Sequence, residues 1–398
     1  MSTSRNLLTD PCWSAKDLGQ ALPNSPHAVS VALPRWEDVI GYEEKRPSVI
    51  NNLKAIYPRF GLNPLVLAVA QLAHKPASWD ENSAWPYPNI TTAKKAKRHC
   101  DRAVRNGRTI ISEVLGLQCL IADSKATPAA KAFWQHTGLG ASSRLAAIAL
   151  AQEKAPLPSA GANARTALRQ RLAEIYSCPP ENIELHPSGM AALTSALEAV
   201  SEIQPKRASL QLGFPYVDVL KLPQVIFEGS DLVLACEPND IVTELDQKRP
   251  AVVIVELPSN PMLQCIDLPT ISKLAHDRGI LVIADDTIGS AININTLPYA
   301  DLIFSSLTKS FAGRGDILAG ALVISPESKW RKDLTKILSD SHLTSLSDAD
   351  AIALEEASRD VKDRIPQLNK ACLNLKIKLE THPAVSRVLH PELCPNFE

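Results

Sequence analysis

The chain carries almost no net charge and contains no long apolar run. Its formal net charge is −1, which gives no electrostatic reason to expect nucleic acid or an anionic membrane surface as a partner. No stretch reaches the roughly 18 apolar residues of a membrane-spanning helix, and the N-terminal residues lack the apolar centre of a secretion signal. We therefore expect neither a nucleic-acid partner nor a membrane.

The chain also lacks the short motifs of several common sites. Its eight cysteines are scattered without a CxxC pair, so neither a metal site nor a disulfide framework is predicted. No GxGxxG motif follows a predicted strand, which argues against a nicotinamide-dependent dehydrogenase. A cytoplasmic protein in a reducing compartment is the expectation.

What the chain does contain suits a large globular fold. It has 398 residues, of which 45% are hydrophobic and 21% charged, which leaves room for two domains and a sizeable core. One short apolar run, residues 301–304, predicts a buried strand that delivers Ser306, Thr308 and Lys309 to its carboxyl end. Ligands collect at such ends in open α/β sheets, where an amine can reach an aldehyde and hydroxyls can hold a phosphate. An ordinary surface lysine is the alternative that this stretch leaves open.

Residues 251–291 predict a strand, a helix and a second strand. The first strand, AVVIVEL, stops at Pro258 and leaves Asn260 in the following turn. The helix that follows has apolar residues at helical spacing and ends at Gly279. The second strand, ILVIAD, ends in Asp285. Such a βαβ unit predicts parallel strands whose turns open on one edge of the sheet.

An anion site is predicted farther upstream, at LHPSGMAALTSALEAV. Ser188 and Gly189 precede a helix, and Met190 lies in its first turn, where free backbone amides and the positive dipole end suit a phosphate. In chain order the sequence thus offers a phosphate site, the Asp285 carboxylate and the Lys309 amine. Pyridoxal phosphate needs all three groups: a lysine for its Schiff base, an acid at its ring nitrogen and a phosphate site.

The segments SGMAA, ELPSNP, ADDT and SSLTKSFAGRGDILAG resemble the cystathionine γ-synthase family, also called the Cys/Met metabolism family of pyridoxal-phosphate enzymes. The resemblance is strong from about Arg169 to Pro326, and several motifs in order are far more specific than one. It implies an α/β fold of the aspartate-aminotransferase-like type, fold type I, with a mostly parallel central sheet flanked by helices. Residues 18–49 resemble the longer, fungal-type branch.

The resemblance also implies a division of the chain into three parts. Residues 1–160 are expected to form an N-terminal arm and a helical extension, and residues 161–326 the cofactor-binding α/β core. Residues 327–398 are expected to form a long helix, interrupted at Pro366, and the start of a C-terminal domain of which the rest is missing.

Roles for individual residues follow from the resemblance. Lys309 is expected to form the Schiff base and then to move protons between substrate carbons. Asp285 is expected to bond the pyridine nitrogen, with Asp286 the weaker candidate. The remaining cofactor contacts are expected from Asn260 at the ring hydroxyl and, at the phosphate, from Ser188, Gly189, Met190, Ser306 and Thr308. Turn and cap chemistry is the alternative for each polar residue taken alone.

An aromatic ring is expected to stack on the pyridine ring. We predict Tyr216, which could also exchange protons with the substrate, and keep Phe214 as the second choice. A tyrosine packed over a sheet edge is the alternative reading.

In the family, an arginine of a Tyr-x-Arg motif reaches the phosphate from the neighbouring subunit. Two stretches could supply it: Tyr57-Pro58-Arg59, which keeps the tyrosine, and Ser142-Ser143-Arg144, which lies in a glycine-containing loop before a helix. The shorter distance along the chain to Gly189 favours Arg144. A helix-capping loop with a surface arginine is the alternative.

The resemblance implies γ-replacement on an activated homoserine ester, with cysteine as the entering thiol and cystathionine as the product. Sulfhydrylation of the same ester and elimination by a lyase would use the same site. A catalytically silent relative that acts as a binding or regulatory partner is the alternative from another class. Small amino acids are the expected partners, and a homodimer or homotetramer is the expected assembly.

Overall fold

The computed structural model describes residues 6, 7, 9–73, 79, 82–234, 237–340 and 345–394. The chain forms two compact units. The first consists of residues 1–161, 314–318 and 347–353, and the second of residues 162–313, 319–346 and 354–398. Among the described residues, no helix has both the length and the apolar character that crossing a membrane requires.

The first unit combines short helices with a small sheet. In chain order its elements are β1 (Ala21–Leu22), β2 (Ser30–Val31), α1 (Trp36–Glu43), α2 (Pro47–Ile50), α3 (Pro64–Gln71), β3 (Asn82–Tyr87), α4 (Ile90–Ala103), β4 (Thr109–Val114), β5 (Leu117–Asp123), α5 (Thr127–Thr137) and α6 (Ser143–Ala149). Strands β3, β5 and β4 form an antiparallel sheet in that order, and β1 pairs with β2.

This sheet differs from the helical extension predicted for residues 1–160. Strands β4 and β5 are joined by Leu115 and Gly116, both with positive φ (51° and 82°), as a tight hairpin requires. A leucine at that position is unusual, because asparagine or aspartate usually supplies the turn signal. The sequence therefore gives only a weak signal for this hairpin.

The second unit is built on a large sheet. Its elements are α7 (Pro158–Tyr176), β6 (Ile183–His186), α8 (Gly189–Ile203), β7 (Ser209–Leu212), α9 (Val217–Ile226), β8 (Ser230–Val233), α10 (Pro238–Lys248), β9 (Val252–Glu256), α11 (Leu268–His276), β10 (Leu281–Asp285), α12 (Ser290–Asn293), β11 (Leu302–Ser306), β12 (Gly320–Ile324), α13 (Arg331–Asp340), α14 (Asp348–Ala357) and α15 (Val361–Glu380). Residues 162–176 of α7 and 354–357 of α14 belong to this unit.

The seven strands lie in the order β6-β12-β11-β10-β9-β7-β8. Only β12 runs antiparallel to its neighbours, and the other pairs are parallel. This confirms the predicted α/β fold with a mostly parallel sheet, including the βαβ unit β9–α11–β10. Strands β9 and β10 are buried along their whole length, because helices cover both faces of such sheets.

The C-terminal helical stretch is interrupted at a different place from the one predicted. Helix α14 ends at Ala357 and α15 begins at Val361, whereas Pro366 lies inside α15. Pro366 is the sixth residue of α15, past the first four N–H groups that have no partner inside a helix. It therefore removes one intrahelical hydrogen bond, yet the helix continues through it.

Candidate active site

Polar residues of three adjacent strands meet at one edge of the second unit's sheet. Asp285 pairs in register with Glu256 on β9 and with Phe304 on β11. Because these strands are parallel, the residues that follow them lie at the same edge. Ser306, the last residue of β11, pairs in turn with Gly320 on β12.

The start of α8 lies directly against Ser306. A Cβ atom built on Gly189 would come within 3.0 Å of Ser306 Cβ and 3.1 Å of its Cα. Ser188 caps the helix, its Oγ accepting a hydrogen bond of 3.0 Å from the backbone N–H of Ala191. The glycine thus lets the first turn of α8 approach Ser306 closely, and first-turn amides beside a serine hydroxyl suit a phosphate.

Asp285 is held at the end of β10 by the residues that follow it. Its Oδ1 accepts a hydrogen bond of 3.0 Å from the N–H of Thr287, whose hydroxyl accepts one of 2.9 Å from the N–H of Ser306. The side chain is buried, with 4% of the residue exposed. Burial raises the pKa of Asp285 to about 7, since a buried carboxylate loses its hydration.

Sequence reasoning missed Glu256, a second buried acid beside Asp285. Its Oε2 accepts a hydrogen bond of 2.7 Å from the N–H of Tyr216. Burial, followed by the charge of Asp285, raises the pKa of Glu256 to about 8. The available signal was an acidic residue at the end of an otherwise apolar strand, VVIVE.

A third acid, Asp286, is fully buried. Its Oδ2 accepts a hydrogen bond of 2.7 Å from the hydroxyl of Tyr176 on α7. Burial raises the pKa of Asp286 to about 6. Sequence reasoning treated Asp286 only as a weaker candidate for the ring nitrogen and did not foresee the tyrosine.

The other predicted residues take varied positions around this edge. Lys309 is exposed and lies in the turn after β11, its N–H donating to the carbonyl of Ser306 at 3.3 Å. Tyr216 is half-buried before α9, and Phe214 is 48% exposed. Asn260 is exposed in the turn after β9, and Met190 is half-buried in the first turn of α8. Their contacts with a cofactor stay predictions.

Thr308 is buried, and its hydroxyl bonds the protein backbone. The hydroxyl donates to the carbonyl of Ala319 at 3.3 Å and accepts from the N–H of the same residue at 3.1 Å. These bonds tie the start of the loop after β11 to the residue that precedes β12. The predicted role of Thr308 at the phosphate stays a prediction.

Arg144 belongs to the first unit, where it is buried among acids of its own chain. Its guanidinium donates to the carbonyl of Asp316 at 2.8 Å and lies 3.6 Å from the carboxylate of Asp350. Arg59, the alternative, lies over the ring of Phe60 at 4.4 Å. An arginine reaching a neighbouring phosphate stays a prediction for both.

These groups fit a phosphorylated pyridine ring. The glycine contact between α8 and Ser306 could hold an anion, and Asp285 is a buried acid that could meet a ring nitrogen. Lys309, three residues beyond Ser306, provides an amine. Since a buried acid near its pKa binds a cation favourably, the edge suits a ring that carries positive charge at one end and a phosphate at the other.

Comparison with known proteins agrees with this chemistry. The family model described as "Cys/Met metabolism PLP-dependent enzyme" matches residues 159–398. An L-2-amino-4-chloropent-4-enoate dechlorinase/desaturase of Streptantibioticus cattleyicolor is 30% identical over 93% of this chain and 76% of its own. An alanine racemase of Aspergillus violaceofuscus is 27% identical (96% and 78%). A cystathionine γ-synthase of Neurospora crassa is 25% identical (94% and 82%).

Solved structures share the fold. A cystathionine γ-synthase of Xanthomonas oryzae, in complex with aminoacrylate and cysteine, matches with a TM-score of 0.52 at 24% identity. The match covers 61% of this chain and 62% of that one, which is less than two thirds of the solved chain.

Proposed function

Because the chain belongs to the Cys/Met metabolism family of PLP-dependent enzymes, we propose that it replaces or eliminates a leaving group on the γ-carbon of an α-amino acid. The first substrate pair to test is an activated homoserine ester with cysteine, which would give cystathionine. Pyridoxal phosphate, when bound, supplies an electron-withdrawing ring that stabilises carbanions next to it.

The observation that carries this proposal is the meeting of the α8 start with Ser306, on the sheet edge that also holds Asp285. In the proposal, Ser188, Gly189, Met190, Ser306 and Thr308 hold the phosphate. Asp285 bonds the ring nitrogen and Asn260 the ring hydroxyl. Tyr216 covers one face of the ring and exchanges protons with the substrate. Lys309 binds the cofactor covalently and moves protons between carbons that lie next to each other.

The names of the relatives support the γ-carbon as the reacting position. The substrate named for the Streptantibioticus enzyme carries chlorine on its fourth carbon, which is the γ-carbon of the amino acid. The racemase name shows that other reactions occur among relatives of similar identity. The test must therefore compare several reactions.

Lys309→Ala tests the covalent link. We expect the purified wild-type protein with added pyridoxal phosphate to show a visible absorption band that borohydride abolishes. Lys309→Ala should lack that band and lose at least about 10³-fold in turnover, the scale of losing both a covalent catalyst and a proton carrier. Lys332→Ala, an exposed lysine on α13, is the matched control and should behave as wild type.

Mass spectrometry of the products, with chiral chromatography for alanine, then separates the reactions. The protein is incubated with an O-acylhomoserine and either cysteine, sulfide or no thiol, and in parallel with L-alanine. Cystathionine formed only with cysteine supports the synthase. Homocysteine from sulfide would assign a sulfhydrylase, a 2-oxoacid without a thiol a lyase, and D-alanine a racemase. A colourless wild type without any product would support the silent relative and contradict the proposal.

We also propose a homodimer or homotetramer, with Arg144 or Arg59 reaching the phosphate of a neighbouring subunit. Light scattering on the eluting protein measures the assembly, and a monomer at micromolar concentration would contradict it.

A further inference from the structure

Glu256 lies where three parts of the candidate site meet. It ends β9, pairs in register with Asp285 on β10, and is 6% exposed. Paired residues on neighbouring strands point to the same face of the sheet, about 5 Å apart. Its Oε2 also receives the N–H of Tyr216 at 2.7 Å. The Glu256 carboxyl group thus contacts the backbone of Tyr216, the predicted ring-stacking residue. It also lies beside Asp285, the predicted partner of the ring nitrogen.

We propose that Glu256 is a positioning residue of the cofactor site: it fixes the segment that carries Tyr216 and forms with Asp285 an acid pair that loses a proton when a protonated pyridine ring binds. The proposal depends on the proposed function only through its cofactor, and on no particular reaction.

Two buried carboxyl groups this close do not both ionise readily, because each disfavours the negative charge of the other. Burial and the charge of Asp285 raise the pKa of Glu256 to about 8, and burial raises that of Asp285 to about 7. A ring cation placed beside the pair would lower both pKa values. Binding would then release protons, and by linkage the affinity for the ring would rise as the pH rises.

Other ionisable groups border the pair. They are Asp286 with Tyr176 of α7, and Tyr216 before α9. Asp218, two residues beyond Tyr216, is buried in the first turn of α9. On the other side of β9, the paired residues 209–212 of β7 carry no ionisable side chain. Replacing Glu256 alone therefore isolates its share of the pH dependence.

The experiment uses 4′-deoxypyridoxine 5′-phosphate, which keeps the ring and the phosphate but has no aldehyde for Lys309. Its Kd is measured by calorimetry at pH 6, 7, 8 and 9 for wild type, Glu256→Gln and Glu256→Leu. Glutamine still accepts the Tyr216 N–H but does not titrate, whereas leucine does neither. Glu228→Gln, an exposed residue before β8, is the matched control.

We expect the ratio of Kd for Glu256→Gln to Kd for wild type to be near one at pH 6 and to rise at least threefold by pH 9. One linked proton allows at most about tenfold per pH unit. Calorimetry in two buffers should show fewer protons released by Glu256→Gln than by wild type at pH 8. A ratio that stays constant with pH, or an equal change in Glu228→Gln, overturns the acid pair.

The positioning role has its own measurement. Circular dichroism of the bound ring should be retained in Glu256→Gln and reduced in Glu256→Leu, because only leucine releases the Tyr216 N–H. Identical spectra for wild type and both variants would overturn that role. If Glu256→Leu does not fold, a reduced signal in Glu256→Gln overturns it instead. A wild type that fails to bind the probe at every pH refutes the proposed cofactor site rather than the role of Glu256.

Discussion

Two clusters of buried acids, one in each unit, have partners of different kinds. In the first unit, Asp316 and Asp350 lie around the guanidinium of Arg144, and Asp350 also accepts from the hydroxyl of Ser142 at 2.6 Å. In the second unit, Glu256, Asp285 and Asp286 accept from backbone N–H groups and from a tyrosine hydroxyl. All of these acids are buried.

The difference separates an acid cluster that stabilises a fold from one arranged for a ligand. A buried acid beside a guanidinium is compensated within the protein. Acids bonded only by neutral donors still lose hydration, and the pKa of each acid in the second cluster is raised. Such acids destabilise the protein when ionised, and a cationic ligand would remove that cost.

The largest expected effect is on the first cluster. Arg144→Met should lower the free energy of unfolding by about 3 to 5 kcal/mol, because it leaves buried carboxylates without their cation. Chemical denaturation followed by tryptophan fluorescence measures this.

Arg314→Met is the matched control for Arg144. Its guanidinium lies 3.6 Å from the same Asp316 but its side chain is 54% exposed, so we expect a loss of about 1 kcal/mol or less. If Arg144→Met instead weakens cofactor binding and leaves stability unchanged, Arg144 serves the phosphate and the contrast between the clusters fails.

The second cluster should respond in the opposite sense. Asp285→Asn should stabilise the cofactor-free protein by on the order of 2 kcal/mol at pH 8, while weakening cofactor binding. Asparagine keeps an acceptor for the Thr287 N–H but carries no charge to bury.

The raised pKa of Asp285 predicts how the stability advantage of Asp285→Asn changes with pH. The pKa of Asp285 is raised from 3.8 to about 7 in the folded protein. Its contribution to stability is therefore complete below about pH 4 and is lost as the pH rises through 7. The advantage of Asp285→Asn should grow over that range and then level off. Asp277→Asn, an exposed control, should stay within about 0.5 kcal/mol, and an advantage that shrinks with pH would contradict the assignment.

Tyr176→Phe should have the smallest effect. Removing the hydroxyl leaves the Asp286 carboxylate without its 2.7 Å hydrogen bond, which should cost about 1 to 2 kcal/mol. The loss should be larger at pH 8 than at pH 5, because the pKa of Asp286 is about 6. Tyr299→Phe, with a 39% exposed tyrosine, should change stability little. Equal losses for both variants at both pH values would refute a role for the buried bond.

Much of the second unit could be predicted because its signals are local. The β9–α11–β10 unit follows from two apolar runs of strand length, a helical apolar period and Gly279, which has a φ of 68°. The strand before Lys309 was expected at residues 301–304 and spans Leu302–Ser306. A helix was expected to follow Ser188 and Gly189, and α8 begins at Gly189 with Ser188 as its N-cap.

The partners of individual side chains could not be predicted in the same way. Arg144 meets Asp316, 172 residues away, and Tyr176 meets Asp286, 110 residues away. Nothing in a local pattern specifies such pairs, since they depend on which strands become neighbours in the sheet. The hydrogen bonds between the Thr308 hydroxyl and Ala319 likewise depend on the pairing of β11 with β12.

Local sequence patterns were enough to predict the alternation of strands and helices in the second unit and the chain order of a candidate anion site, an acid and a lysine. These features depend on periodicity, capping and turn residues, which act over a few positions. The three-dimensional fold was needed to show that Glu256 lies beside Asp285, that Gly189 packs against Ser306, and that Arg144 is surrounded by acids. Strand order decides which distant residues become neighbours. The surroundings of each buried charge then decide its electrostatic energy.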